Sequence, residues 1–189
     1  MPNWCFTSYV FEGKKEEIAD LYHKLQSLDK LGEPLVKNDF GKLWLGCVVT
    51  LFRGDWNQIP CRGTIDSFEQ HTDTTITLST STAWGDIPQV WDFVCKQYPS
   101  IKYYFSAEES GNGYYATNDT EGKFFTHRFL VEQDNEDAKY YETEEQVFAD
   151  ISKRLGVPIA STEDMKTALE THNKAHEDDW ISVYKFEII

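Results

Sequence analysis

The chain has 189 residues, 40% hydrophobic and 15% aromatic, and its 18 Lys and Arg against 32 Asp and Glu give a formal net charge of −14. That length suits one domain of ordinary size with room for a small appendage, and its core needs no disulfide or metal staple. The charge argues against phosphate backbones and anionic membrane surfaces as partners, because both are held by clustered Lys and Arg.

Residues 3–11 read as a first strand, with Trp4, Phe6 and Val10 loosely alternating against Cys5, Thr7 and Tyr9. Ile18, Leu21, Tyr22, Leu25 and Leu28 follow at helical spacing, and Gly32 and Pro34 close that helix. Residues 43–52 are ambiguous. Trp44, Cys47, Val48 and Leu51 fit one helix face, Val48-Val49-Thr50 favours a strand, and the apolar spacing tips the reading to helix. A polar loop with Asp55 and Trp56 leads to a strand over 62–70 and a Thr-rich strand over 74–82. Asp86 is placed to cap the next helix, whose stripe is Ile87, Val90, Trp91, Val94 and Cys95; Tyr98-Pro99 ends it. Residues 101–105 form a strand, Gly111-Asn112-Gly113 a turn with positive φ, and 114–118 and 122–131 two more strands. Residues 133–137 form an acidic loop. Thr143 and Gln146 make a capping box for a helix over 143–155 that Gly156 and Pro158 stop. Ser161 or Thr162 caps a last helix to about His176, and 180–189 alternate as a final strand.

With 43–52 treated as an insertion, the order is β-α-β-β-α-β. This predicts an α+β fold: a ferredoxin-like sheet with an added hairpin and C-terminal helices. The expected division is a ferredoxin-like domain over 1–131 and a C-terminal helical extension with a final strand over 132–189, packed on the same domain.

Chemical signatures are few. Cys5, Cys47, Cys61 and Cys95 form no C-x-x-C pair, so they read as reduced core thiols and not as a cluster or zinc framework. Cys61 beside Arg62 is the best placed for nucleophilic activation, though an inert thiol is the commoner case. Serine-hydrolase elbows, P-loops and dinucleotide fingerprints are missing from the sequence. His172 and His176 stand one helical turn apart, but Asn173 follows the first where a metalloprotease has Glu, so a solvated helix end is expected and no metal. Asp134, Glu136 and Asp137 lack the calcium-loop pattern and read as a solvated loop. No signal peptide or membrane span is visible, which points to a cytoplasmic protein. Trp84, between a strand and a helix, can form a groove with Asp55, Trp56, Arg62 and Glu109: an aromatic floor with polar anchors. The competing reading makes Trp84 a core plug and leaves Arg62 paired at the surface.

Three features are similar to a known family. The chain begins Met1-Pro2-Asn3-Trp4-Cys5, carries Ser81-Thr82-Ala83-Trp84-Gly85 before a helix ending Gln97-Tyr98-Pro99, and has Ala107-Glu108-Glu109-Ser110-Gly111-Asn112-Gly113 after the next strand. Over residues 1–131 this resembles the YubB-type family of ferredoxin-like proteins from bacterial plasmids, phages and mobile elements. The resemblance implies that fold and a mobile-element origin; it implies no activity.

The reading that follows is a non-catalytic binding or interaction module, with a protein or small ligand as partner, no cofactor and no direct contact with nucleic acid. Two other readings stay open. One is an acidic mimic of nucleic acid that occupies a host DNA-binding protein. The other is an enzyme of unrecognised type with Asp55, Arg62 and Glu109 in a cleft.

Overall fold

The computed structural model describes residues 2–134 and 136–189; Met1 of the N-terminal motif and Asn135 of the acidic loop lie outside the described residues. The fold is α+β, with five helices and nine strands among the described residues. The chain divides into two compact units at Asp119/Thr120.

The first unit holds β1 (Trp4–Glu12), α1 (Lys15–Asp29), α2 (Leu45–Leu51), β2 (Gly63–Thr72), β3 (Thr75–Ala83), α3 (Pro88–Cys95), β4 (Lys102–Glu109) and β5 (Tyr114–Thr117). Its strands lie in the order β2-β3-β1-β4-β5, each antiparallel to its neighbour. In β1 the period of two separates the faces: Cys5, Thr7, Tyr9 and Phe11 are buried, while Trp4, Phe6 and Ser8 are exposed. The helices cover the buried face. α1 brings Ile18, Leu21, Leu25 and Leu28 to the core, and α3 brings Val90, Trp91 and Val94. Residues 45–51 are helical, as the spacing of their apolar residues predicts; Leu45 to Val49 are all buried in this short element.

Side chains on the covered face change character along the strands. The first rank across β3, β1 and β4 is Ile76, Phe11 and Tyr103, and the second is Leu78, Tyr9 and Phe105. The third is Thr80, Thr7 and Ala107, and the fourth begins with Thr82 and Cys5. Large rings fill one half of the sheet; hydroxyls and methyls line the other.

The second unit has its own core: Phe129, Val131, Val147, Ile151, Met165 and Ile181. Its sheet runs β7 (Lys139–Tyr141), β6 (Phe129–Gln133), β8 (Ile181–Lys185), both pairings antiparallel. α4 (Glu144–Leu155) starts on the full Thr143–Gln146 capping box and ends on Gly156 at φ 67°. α5 (Thr162–Ala175) is capped by the Ser161 hydroxyl, and β9 is Glu187–Ile188.

The structure differs from the sequence reading at five places. Asp86 does not cap α3: Ile87 occupies the cap position without a side-chain bond, and Asp86, one residue earlier, accepts from Tyr114. The strand expected over 122–131 starts only at Phe129. Gly122 sits at φ 69°, and the Arg128 guanidinium takes the carbonyls of Phe125 (2.7 Å) and His127 (3.0 Å) that a ladder would need. Lys139–Tyr141 forms a strand where no element was expected. The final strand is broken at the buried Phe186. The two units part twelve residues before the expected boundary at 131/132, so β6 builds the second core and not the first. No helix among the described residues is long and apolar enough to cross a membrane.

Candidate functional site

Antiparallel register brings the start of β1, the end of β3, the start of β2 and the end of β4 to one end of the first sheet. The five residues named from sequence are strung along and beyond this end, and their side chains divide. The Asp55 carboxylate is spent locally: it accepts from the Asn57 backbone N–H and side-chain amide, both at 2.9 Å, and its carbonyl takes Gln58 N–H at 3.0 Å, a closed Asx turn. Trp56 packs edge-on against Trp44, ring centroids 5.2 Å apart, beyond the outer edge of β2. Arg62 is exposed, and its carbonyl accepts from Ala83 N–H at 2.9 Å. Trp84 is 51% exposed in the left-handed region at φ 74°, tied by its N–H to the Asn3 carbonyl at 2.9 Å. Glu109 turns inward and is buried; one carboxylate oxygen accepts from Asn112 N–H at 3.3 Å. The strand register thus brings Arg62, Trp84 and Glu109 to one sheet end. It does not draw Asp55, Arg62 and Glu109 into a shared cleft of free carboxylates and guanidinium.

Two exposed rings at this sheet end were not named as site residues from sequence. Trp4 and Phe6 lie on the uncovered face of β1, 39% and 62% exposed, two residues apart and therefore on the same side. Trp4 pairs with Ala83, the residue before Trp84. The signal was present, since alternation puts Trp4 and Phe6 opposite Cys5 and Thr7. What the pattern could not say is which of the two rows the helices cover.

Beneath this end lies a second group that sequence reasoning missed. Tyr114 donates its hydroxyl to Asp86 Oδ1 at 2.5 Å. Asp86 Oδ2 and Thr80 Oγ1 are buried with no hydrogen-bond partner among the described residues, whereas the Tyr9 hydroxyl has the Trp91 and Thr7 side chains within loose hydrogen-bonding reach. The Glu109 Oε2 atom is also buried and unpartnered. Burial pushes the Asp86 carboxyl above the usual carboxylate range, against the lowering effect of the Tyr114 hydrogen bond. Tyr9 is raised by burial first and then by the negative charge of Asp86. The only signal in the sequence was the unusual hydroxyl content of two central strands, Thr7 on β1 and Thr80 and Thr82 on β3.

All four cysteines are free thiols, three buried and Cys95 half-buried. Burial pushes Cys61 up to about 11, and its thiol donates to the Ile59 carbonyl at 3.1 Å, so the neighbouring Arg62 does not activate it. In the second unit, His172 Nε2 donates to the Asp179 carbonyl at 2.9 Å and His176 Nδ1 to the His172 carbonyl at 3.0 Å. The two rings stack at 4.5 Å. In the acidic loop, Glu136 pairs with Arg154 at 2.9 Å, so that carboxylate is part of the second unit's own structure.

Compared with known proteins, the chain matches no family model, no curated protein and no solved structure.

Proposed function

We propose that this protein is a non-catalytic interaction module, and that its first unit is a ferredoxin-like domain of the type the YubB-like motifs imply. What supports the fold is the order β2-β3-β1-β4 with a helix after β1 and after β3, α2 being an insertion before β2. A mobile-element origin rests on the motif resemblance alone.

The observation that carries the interaction reading is the run of exposed rings at one sheet end: Trp4, Phe6 and Trp84, at 39%, 62% and 51%. A phenylalanine with most of its surface in water on a central strand gains nothing for the fold. Grouped aromatic surface of this kind marks a place where another molecule sits. On this face of the sheet Ser8, Ser79 and Ser81 stand beside Asp66 and Glu108, with the exposed Arg62 at the same sheet end. That composition suits an apolar protein surface rimmed by Lys or Arg better than a nucleic acid.

The test uses the purified chain and a Phe6→Ser/Trp84→Ser double variant as baits against a soluble extract of the host, read by quantitative mass spectrometry. Both substitutions lie outside the core, so the variant keeps its fold, verified by circular dichroism. A protein retained by the wild type and depleted at least tenfold by the variant is the expected result. Equal recovery of every retained protein by the two baits would remove the reading.

A further inference from the structure

The sheet of the second unit buries one face and carries a cavity on the other. Ile181 and Val183 of β8 pack into the core, so the period of two leaves Trp180, Ser182 and Tyr184 on the opposite side. On β6, Val131 joins the core and Glu132 faces away from it, directly across from Ser182. Leu130 lies across from Tyr184, and the bond from Asp134 N–H to the Trp180 carbonyl at 3.0 Å carries the pairing one step past the strand. Glu132 therefore stands between two rings, the indole of Trp180 toward one end and the phenol of Tyr184 toward the other. Together with Asp134 and Ala138 these residues line a cavity of about 450 Å³, a size common for small-ligand sites.

The polar groups around the cavity are unequally engaged. The Ser182 hydroxyl accepts from the Trp180 indole N–H at 2.9 Å, and Asp134 Oδ2 accepts from the Trp180 backbone N–H at 3.3 Å. Glu136, at the rim, is held by Arg154 at 2.9 Å. The half-buried Glu132 carboxylate has no hydrogen-bond or ion-pair partner among the described residues, and no Lys or Arg among them lines the cavity. Trp180 keeps 51% of its surface exposed.

An unpaired carboxylate repels an anion, and the negative face of an aromatic ring attracts a cation. Floor and walls thus favour the same sign of charge. The cavity is far larger than a bare metal ion, and one free carboxylate supplies too few oxygens for calcium or magnesium; the fit is to an organic cation. A guanidinium brings five N–H donors and a primary ammonium three, which Glu132 alone does not satisfy while Ser182, Asp134 and Glu136 already accept from Trp180 and Arg154. A quaternary ammonium carries its charge with no N–H at all. It needs only ring faces against its methyl groups and a carboxylate close by.

We propose that the cavity bounded by Glu132, Trp180, Ser182 and Tyr184 binds a quaternary ammonium group, with its methyl groups against the Trp180 and Tyr184 rings and Glu132 as the countercharge.

Isothermal titration of the full chain tests this with two quaternary probes, choline and a short peptide carrying one trimethyllysine. The controls are 3,3-dimethylbutan-1-ol, the neutral carbon isostere of choline, and guanidinium. At least one quaternary probe is expected to bind with a Kd below about 1 mM, and both controls at least tenfold more weakly than that probe. Tighter binding of choline would assign a free small molecule as the source of the group, and tighter binding of the peptide a modified protein. Glu132→Gln removes the charge and keeps the shape; Trp180→Leu removes a ring. Each is expected to weaken the tighter-bound probe at least fivefold in a variant whose circular dichroism is unchanged. Should Trp180→Leu fail to fold, Glu132→Gln decides alone. Absence of binding by both quaternary probes, either control binding as tightly as they do, or an affinity unchanged by Glu132→Gln would each overturn the proposal. None of these outcomes bears on Trp4, Phe6 and Trp84, which belong to the first unit.

Discussion

Among the described residues, two other than glycine occupy the left-handed region, Arg53 at φ 61° and Trp84 at φ 74°. For a residue with a Cβ that conformation costs about 1–2 kcal/mol. Arg53 is exposed and follows α2, where helices commonly end on glycine. Arg53→Gly is therefore expected to stabilise the protein by about 0.5–1 kcal/mol, seen as a higher urea midpoint with an unchanged slope. Gly63 is the reverse case. A Cβ there would stand 2.6 Å from the Ser81 carbonyl oxygen and 2.5 Å from Thr82 Cγ2. Backbone cannot step aside cheaply, so Gly63→Ala is expected to cost about 1–3 kcal/mol in the same measurement. Asp86 gives a pH signature. Burial raises its folded pKa above the unfolded value, so the folded state holds its proton more tightly and stability falls as pH rises between the two. Asp86→Asn removes the charge. The variant is expected to be more stable than wild type at pH 7, and the gain to vanish below about pH 4, where the unfolded carboxyl is protonated too. Midpoints measured at both pH values check this; a gain that persists at pH 3 would contradict it.

Among the elements, α4 is the one whose limits were read from sequence without error. Thr143, Gln146 and Gly156 specify both of its ends by local hydrogen bonds and a local φ. Thr143→Ala is expected to cost about 1 kcal/mol by stripping the cap from the Gln146 N–H, read from thermal unfolding. At α3 the same local reasoning misled. Asp86 has the right chemistry for a cap, but the helix starts one residue later than a cap there requires, with Ile87 at the cap position, and Asp86 accepts instead from a tyrosine 28 residues away. At residues 122–128 Arg128 draws the carbonyls of Phe125 and His127 into a turn, overriding the strand preference of Phe124 and Phe125.

In the whole molecule, each of the two units carries a separate core. Ile151 is fully buried in the second. Ile151→Ala is expected to destabilise that unit by about 2–5 kcal/mol. Hydrogen exchange should accelerate in residues 120–188 well before it does in 1–119; uniform acceleration along the chain would mean that the units unfold as one. The surplus of carboxylates belongs to both units, 16 against 10 Lys and Arg in the first 119 residues and 16 against 8 in the remainder. Part of it is tied up in pairs such as Glu136–Arg154 and Asp150–Arg154.

The sequence by itself determined the period of β1, β3, α1 and α4, the α4 cap and the α+β class, and its apolar spacing favoured a helix over residues 45–51. These depend on neighbours within a few residues, where side-chain spacing and capping chemistry act directly. It also pointed to the Trp84 turn and to Glu109 as places of interest. Only the tertiary structure decided which row of β1 faces water, that Asp55 closes its own turn, and that Glu109 is buried. It alone brought Tyr9 against Trp91 and Tyr114 to Asp86. Those four residues are scattered along the chain and meet only once strands and helix have packed. Nothing local records that, since in the unfolded chain each of these groups is satisfied by water.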